Sequence, residues 1–174
     1  MIPCRPRWFS PARPGCVGLG QEWGIAVNLE LFLFTSKNVT NIWAGIGAGR
    51  WAVSETSDMQ SRITKSRRMR VGSLGLLYCS ENQCFTTPFI VYSEADPKEV
   101  VADVWPEKWR LPFRIHPLGN PTRLISIDEA KKRWPVLQGC NNITERLNIG
   151  GTVVFVPSTI SQEDWELILK ELAV

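Results

Sequence analysis

The stretch "NLELFLFTSKNVTNIWAGIGAGRWAVS", residues 28–54, predicts a strand, a helix and a second strand in close succession. It starts with an apolar run of the length expected of a buried strand. Residues 38–49 then predict a short helix capped by Asn38 or Thr40, because apolar residues recur at helical spacing and glycines follow them. Residues 50–54 resume the strand pattern. The glycines follow a helix rather than a strand, so they do not form a dinucleotide-binding turn.

Further short strand patterns follow, with helical patterns inserted between and after them. Residues 83–94 predict a strand in which Pro88 requires an edge position or a bulge. Ser126 and Ser161 are predicted helix N-caps, since each has an acidic residue three positions on. About six short strands without βαβα order indicate an α+β fold, a curved, mostly antiparallel sheet or small open barrel with peripheral helices. The other strand patterns lie at residues 70–79, 110–118 and 152–157 and at the start of 123–134.

Length and composition predict one domain with an N-terminal extension. Residues 28–174 are enough for one compact domain with a real core. Residues 1–27 are rich in proline and lack periodicity, which is typical of a disordered or irregular arm. No apolar run reaches the roughly 18 to 20 residues of a membrane span, and no signal-peptide core is evident. We therefore expect an intracellular, cytoplasmic protein without a membrane partner.

The charged and metal-binding residues argue against several function classes. The formal net charge is only +3, so overall charge does not predict nucleic-acid binding. Five cysteines without a CxxC motif and a single histidine give no metal-site pattern, and we expect no cofactor. Cys79 and Cys84 flank a predicted hairpin, where two free thiols are favoured over a disulfide. No P-loop, zinc-protease or serine-hydrolase motif occurs.

Tryptophans close to a basic run favour a nucleic-acid partner. The chain has eight tryptophans and two tyrosines. Trp134 and Trp165 lie in amphipathic helical patterns and are predicted core residues. Trp51, in contrast, shortly precedes the basic run, and aromatic stacking with phosphate contact is how proteins hold an unstacked base. A solvated helix face is the alternative explanation of the run, which consists of Arg62, Lys65, Arg67, Arg68 and Arg70.

Several segments in a fixed order carry a family resemblance. They are "LFLFTSKNVTNIW" (31–43), "GRWAVSE" (49–55), "SRRMRVGSLGLLYCS" (66–80), "VWPEKWRLPFRIHPL" (104–118) and the closing helical segments "LISIDEAKKRWPVL" and "TVVFVPSTISQEDWELILKEL". From about residue 28 to 172 the chain thus resembles an EVE domain, a PUA-like domain related to YTH domains. Ser73 stands where the family usually has aspartate, and residues 1–27 have no counterpart.

The resemblance implies a reader of modified bases without enzymatic activity of its own. Domains of this kind take a methylated base, flipped out of DNA or present in single-stranded RNA, into an aromatic pocket. The implied partner is nucleic acid, with DNA favoured over RNA and 5-methylcytosine or N6-methyladenine as examples of the base. The implied setting is a modification-dependent restriction or defence system in which a nuclease or NTPase acts in trans.

The resemblance also implies roles for particular residues. Trp51 and Trp105 would be the two walls of the pocket. Stacking distances set a gap of roughly 7 Å for two such walls around a base. Asn41 would bond the base edge, since an amide both donates and accepts hydrogen bonds. The other implied pocket residues are Trp109, Trp43, Ser36, and Lys37 and Ala52 through their backbones. The implied phosphate contacts are Arg62, Lys65, Arg67, Arg68 and Arg114.

Elementary energetics is compatible with such a pocket. A methyl group contributes only roughly 0.8 kcal/mol, whereas stacking adds about 1–3 kcal/mol per base. Flipping a base costs a few kcal/mol, so phosphate contacts must help to offset it.

Other functions remain open at this point. A reader of modified RNA would use the same pocket. A nucleoside amidohydrolase similar to ASCH domains would use Lys65, Thr64 and Glu55, although no activated nucleophile is evident. A structural interaction module is the third alternative, and a packed aromatic cluster around Trp51 would favour it.

Overall fold

The computed structural model describes residues 27–174, which build a mixed α+β structure around one sheet. Its strands are β1 (Asn28–Ser36), β2 (Arg50–Ser54), β3 (Leu74–Cys79), β4 (Cys84–Val91), β5 (Val100–Val101), β6 (Trp109–Pro117), β7 (Leu124–Ser126) and β8 (Ser158–Ser161). Its helices are α1 (Val39–Gly47), α2 (Met59–Ser66), α3 (Ile127–Arg133), α4 (Ile143–Arg146) and α5 (Gln162–Leu172), with a 3-10 helix at Pro135–Leu137. The predicted fold class is confirmed. The predicted arm at 1–27 lies outside the described residues except for Val27.

The sheet is open and mostly antiparallel. Its strands run in the order β2-β6-β4-β3-β1-β8, with β5 paired to β6 and β7 paired to β4. Strand β1 pairs with β3 in parallel, while the other strand pairs of the described residues are antiparallel. The sheet has eight strands rather than about six. Strand β7 lies at the predicted start of 123–134, whereas the two-residue strand β5 and the last strand, β8, were not predicted.

Strand β4 accommodates its proline by a bulge. The strand lies inside the sheet, so Pro88 is not at an edge. Leu76 pairs with Pro88 and Leu77 with Thr86, which leaves Thr87 as the extra residue. Thr87 has a φ of 41° and is buried. Of the two predicted solutions, the bulge is therefore the correct one.

Side-chain caps start three of the helices where the sequence predicts them. The Asn38 side chain accepts a hydrogen bond from the Asn41 main-chain N–H at 2.9 Å, and Ser126 Oγ accepts one from the residue three positions on. Ser161 and Asp164 form a reciprocal capping box at α5. No helix within residues 27–174 is long and apolar enough to cross a membrane.

Apolar side chains cover both faces of the sheet. One face, here called the aromatic face, carries Trp51, Trp105 and Trp109 together with five phenylalanines. The opposite face, here called the helix-covered face, packs aliphatic side chains and Trp134 beneath α3 and α5. Trp134 is fully buried, and Trp165 packs against the same cluster, so both predicted core residues are confirmed.

The predicted strand at 152–157 is wrong. The apolar run "TVVFVP" is typical of a strand in sequence, but the last strand of the sheet begins only at Ser158. Phe155 instead adopts a φ of 63° and is buried. Its ring lies 5.3 Å from Phe34 and 6.1 Å from Phe113, centroid to centroid. Packing of this ring on the aromatic face has overridden the local strand preference.

Candidate functional site

Three tryptophans meet at the end of the sheet where β1 passes into α1. We call Trp51, Trp105 and Trp109 the tryptophan cluster. The rings of Trp105 and Trp109 stack, with centroids 4.5 Å apart and planes 18° apart. Trp51 meets both rings edge-on, with its ring centroid 5.7 Å from that of Trp105 and 6.0 Å from that of Trp109. All three side chains are buried, with 1%, 3% and 6% exposure in sequence order.

The predicted open gap between Trp51 and Trp105 is wrong. Their planes are inclined by 77°, so the two indoles do not offer parallel faces to a base. Trp109 covers a face of Trp105 instead. Edge-to-face and offset stacked pairs are the favoured aromatic geometries, and here they bury three large apolar surfaces against one another. This packing is the arrangement that favours the structural interaction module, and a base that enters the cluster must separate indoles that are already packed.

Helix α1 fixes the position of the cluster from one side. The indole N–H of Trp105 donates a hydrogen bond to the main-chain oxygen of Asn41 at 2.9 Å. A Cβ at Gly45 would lie 2.7 Å from Trp51 Cε3 and 3.0 Å from Trp105 Cζ2. The glycine is thus required because the helix backbone approaches both rings at contact distance.

A bulge in β6 shapes the opposite side. Trp51 pairs with Phe113 and Val53 with Arg110, so the register shifts between the two pairs. Leu111, within the shift, has a φ of 55° and is buried. Bulges of this kind re-aim neighbouring side chains and are frequent beside functional sites.

An open cleft borders the cluster on the outside, and we call it the outer cleft. Its volume is about 470 Å³, within the roughly 300–1,000 Å³ range of small-molecule sites. The side-chain amide of Asn41 lies on its wall, half-buried and without a hydrogen bond to the described residues. Two lysines and two glutamates also line it, so its charges balance. These are Lys37, Lys108, Glu55 and Glu107, which stand beside Trp109.

A smaller cavity adjoins the outer cleft, and we call it the inner cavity. Its volume is about 60 Å³. It shares Thr35, Ser54 and Trp109 with the outer cleft, so the two spaces adjoin. Its further lining includes Trp51, Ala52, Phe34, Val154, Arg62 and Gly151. The wall is thus mainly apolar, with one cationic side chain.

Several predicted pocket residues lie elsewhere or act differently. Ser36 is buried and donates its hydroxyl to Asn38 O, so it does not face the cleft. The main-chain oxygen of Lys37 accepts from the Glu81 N–H at 3.0 Å, and only its side chain lines the outer cleft. Trp43 is 46% exposed on α1 and lines neither space. A residue two positions after Asn41 faces the other flank of a helix, which explains the error.

The predicted phosphate contacts do not form one surface. Arg62 is buried because it falls on the inward face of α2, so its assignment to phosphate is wrong. Lys65 donates through Nζ to Thr152 O at 3.0 Å. Arg67 and Arg68 are exposed beyond the end of α2. Arg114 is exposed opposite Arg50 in the sheet and lines neither the outer cleft nor the inner cavity.

The residues considered for an amidohydrolase are engaged separately. Lys65 bonds Thr152 O, and Thr64 Oγ1 bonds Gln60 O one helical turn back. Glu55 lies 4.0 Å from the Arg110 guanidinium. The contacts of these three side chains do not assemble a nucleophile with its base.

The sequence argument missed the polar residues that follow the Trp-Pro pair. Glu107 accepts a hydrogen bond from the Trp109 indole at 3.4 Å, and Lys108 lines the outer cleft. Their position between Trp105 and Trp109 in the sequence was the one feature that could have indicated them.

The two cysteines at the predicted hairpin are directly paired across β3 and β4. Cys79 and Cys84 are register partners, both buried and both free thiols, as predicted. Burial, with a smaller effect of Cys79, raises the pKa of the Cys84 thiol to about 11. The Cys84 thiol is therefore protonated and unreactive near neutral pH.

Comparison with known proteins places the fold beside YTH domains. No protein-family model and no curated protein matches the chain. The YTH domain of Mmi1 shares 12% identity at a TM-score of 0.50, covering 81% of this chain and 92% of that one. The protein Rpa0253 from Rhodopseudomonas palustris shares 17% identity at a TM-score of 0.50, and the match covers 82% of this chain and 92% of that one. The CPSF4 YTH domain from Toxoplasma shares 21% identity at a TM-score of 0.45, and the match covers 62% of this chain and 67% of that one. The chain thus has a YTH-like fold, and its resemblance to EVE domains in particular stays a prediction.

Proposed function

We propose that the domain formed by residues 28–174 is a non-enzymatic reader that binds a modified base at the tryptophan cluster. The observation that carries this proposal is the stacked pair of Trp105 and Trp109 beside a cleft on which the amide of Asn41 is free. A stack of two indoles supplies the aromatic faces, and the cleft supplies room for a nucleotide. Asn41 supplies a donor and an acceptor to fix the base edge.

The base enters from the outer cleft and separates Trp109 from Trp105. One indole–indole stack is then replaced by two indole–base stacks, each of which is worth about 1–3 kcal/mol by analogy with other proteins. Trp51 forms the floor beneath the pair, since it meets both rings edge-on. The hydrogen bond from Trp105 to the Asn41 main chain holds one wall in place while Trp109 moves.

The charge distribution favours a base that is already unpaired. The two lysines of the outer cleft are matched by two glutamates, and Arg62 is buried. Few cations are therefore near the cleft to offset the few kcal/mol that flipping from a duplex costs. The family resemblance favours duplex DNA, whereas this observation favours a single strand and supports an RNA reader as the second candidate.

The wider setting rests on the family resemblance alone. A partner nuclease or NTPase in a restriction or defence system is the proposed context, with the reader supplying recognition and the partner supplying cleavage. Co-purification of such an enzyme with the tagged full chain, dependent on modified nucleic acid, tests it.

Oligonucleotide binding tests the reader function. Matched single strands and duplexes, of DNA and RNA, carry cytosine, 5-methylcytosine, adenine or N6-methyladenine at one position. We expect tighter binding of at least one modified strand, and a loss of roughly 5- to 100-fold for Trp109→Ala, since one base stack is removed. Trp165→Ala, on the helix-covered face, is the matched control and keeps the wild-type affinity. Equal affinity for all strands, modified or not, contradicts the proposal.

A further inference from the structure

Arg62 is a buried cation without a carboxylate partner. Its side chain leaves α2 toward the aromatic face, and the residue is only 7% exposed. One terminal nitrogen donates to Ser54 O and the other to Gly151 O, both at 2.8 Å. No ion pair among residues 27–174 includes this guanidinium.

Such an arrangement is costly for a protein interior. A charged group taken out of water needs a counter-charge or a full set of hydrogen bonds. Burial lowers the pKa of the Arg62 guanidinium from its ordinary value, and Asp58 offsets this in part. A guanidinium has five N–H donors, of which the two carbonyls engage two. The remaining N–H groups of Arg62 can therefore donate to an acceptor on a ligand.

The inner cavity is the space next to this cation. Arg62, Ser54 and Gly151 all line it, so the guanidinium and both of its acceptors stand on the cavity wall. A Cβ at Gly151 would lie 3.4 Å from the Arg62 terminal nitrogen, so the loop backbone closes tightly on the cation. On the other side, Trp51 and Trp109 provide aromatic walls.

The size of the inner cavity limits what it can hold. A space of roughly 10–15 Å³ on this measure holds one water molecule, so about 60 Å³ accommodates a few non-hydrogen atoms. A methyl, hydroxymethyl or carboxyl substituent fits, and a sugar does not. Thr35, Ser54 and Trp109 line both the inner cavity and the outer cleft, so a base stacked on Trp109 lies next to the inner cavity.

We propose that the inner cavity receives the modification itself and that Arg62 selects a carboxyl substituent on the base, as in 5-carboxylcytosine. This inference rests on the proposed function of the tryptophan cluster. A carboxylate supplies the counter-charge that Arg62 lacks and accepts two charge-assisted hydrogen bonds from a guanidinium. A methyl group fills the same space but leaves the cation unpaired.

The alternative is that Arg62 only clamps the end of β2 to the 150–151 loop. A clamp affects stability and leaves the choice of substituent unchanged. The ratio of affinities for two ligands, measured on one protein sample, distinguishes the two roles because the folded fraction cancels from it.

The test uses the full chain and three single-stranded oligonucleotides that differ only in one base: cytosine, 5-methylcytosine or 5-carboxylcytosine. Fluorescence anisotropy gives the affinities. We expect wild type to bind the carboxyl strand at least about tenfold more tightly than the methyl strand. In Arg62→Gln, and to a smaller extent in Arg62→Lys, this ratio falls toward one. Arg146→Gln, an exposed arginine that also donates to a carbonyl, keeps the wild-type ratio.

The outcomes separate the two proposals. A wild type that prefers the methyl strand, or an Arg62→Gln variant that keeps the carboxyl preference, overturns the role of Arg62 and leaves the reader function intact. If Arg62→Gln does not fold, the wild-type ratio and Arg62→Lys decide the matter. Equal binding of all three strands overturns the carboxyl preference, and the adenine-containing strands of the reader experiment then decide whether the reader function fails as well.

Discussion

The two faces of the sheet surround the same residue type with different neighbours. On the helix-covered face, Trp134 packs 5.1 Å from Phe85 and donates its indole N–H to Glu171 at 3.1 Å. Helices cover it, and it is fully buried. On the aromatic face, Trp105 and Trp109 stack on each other at the border of an open cleft.

The difference lies in what surrounds the indoles rather than in how deeply they are buried. Around Trp134 the neighbours are apolar apart from the one acceptor. Around the tryptophan cluster stand an unengaged amide, four charged side chains and the buried guanidinium of Arg62. Burial alone therefore indicates a core, and polar groups without a partner beside it indicate a candidate site. The following changes test this contrast.

Loss of Trp134 is expected to have the largest effect on stability. Trp134→Ala removes a fully buried indole, which costs about 3–5 kcal/mol of unfolding free energy. Chemical denaturation measures the loss. Base binding per folded molecule should stay unchanged, because the helix-covered face does not contact the outer cleft. A Trp134→Ala protein that remains folded yet loses selective binding would break the contrast between the faces.

A methyl group at Gly45 should disturb the aromatic face. Its Cβ would lie 2.7 Å from Trp51, so overpacking is expected to cost about 1–3 kcal/mol. Selective binding should fall as well, because α1 carries Asn41. Gly47→Ala is the control on the same helix, where a Cβ meets nothing within 4 Å. There we expect a neutral or slightly stabilising effect. Equal effects of the two substitutions in thermal unfolding would contradict this packing.

High pH should destabilise the protein through the buried thiol of Cys84. The pKa of Cys84 is raised to about 11, so the folded state keeps a proton that the unfolded chain loses near pH 9. The stability that this thiol contributes is present below about pH 9 and is lost as the pH rises toward 11, on the order of 1–2 kcal/mol. Burial also raises the pKa of Tyr78, which acts in the same direction. Denaturation at pH 8 and pH 10.5 should therefore show a smaller loss in Cys84→Ala than in wild type.

The lysines of the outer cleft should matter for binding and scarcely for folding. Lys37→Ala and Lys108→Ala remove exposed cations that form no ion pair with the described residues. Each should weaken binding of a single strand and reduce the slope of log affinity against log salt by roughly 0.7. Stability should change by less than about 0.5 kcal/mol. A salt slope that neither substitution changes would place the nucleic acid elsewhere.

The elements were more predictable from sequence than the contacts between them. Periodicity and capping residues located the strand before α1, the caps at Asn38 and Ser161, and the cores of the later helices. The strand predicted at 152–157 failed because an apolar run is a local signal, whereas Phe155 is held by rings that are distant in sequence. Contacts between residues that are distant in sequence cannot be predicted from the local sequence pattern.

The candidate site was predictable in part. Its residue types and its location near Trp51 and Asn41 follow from sequence and resemblance. The stacking of Trp105 on Trp109, in contrast, depends on the bulge in β6 and on the approach of α1, which no spacing reveals. Arg62 looked like part of an exposed basic run because a sequence shows charge but not the face of a short helix on which it lies.

The indole N–H signals of the tryptophans test the central claim most directly. Two-dimensional NMR of 15N-labelled protein, with signals assigned by single Trp→Phe variants, resolves the tryptophans as a modified oligonucleotide is added. We expect the signals of Trp105 and Trp109 to shift and that of Trp134 to remain, while the unmodified strand moves them much less. Binding of the modified strand that leaves Trp105 and Trp109 unshifted would contradict the tryptophan cluster as the base site.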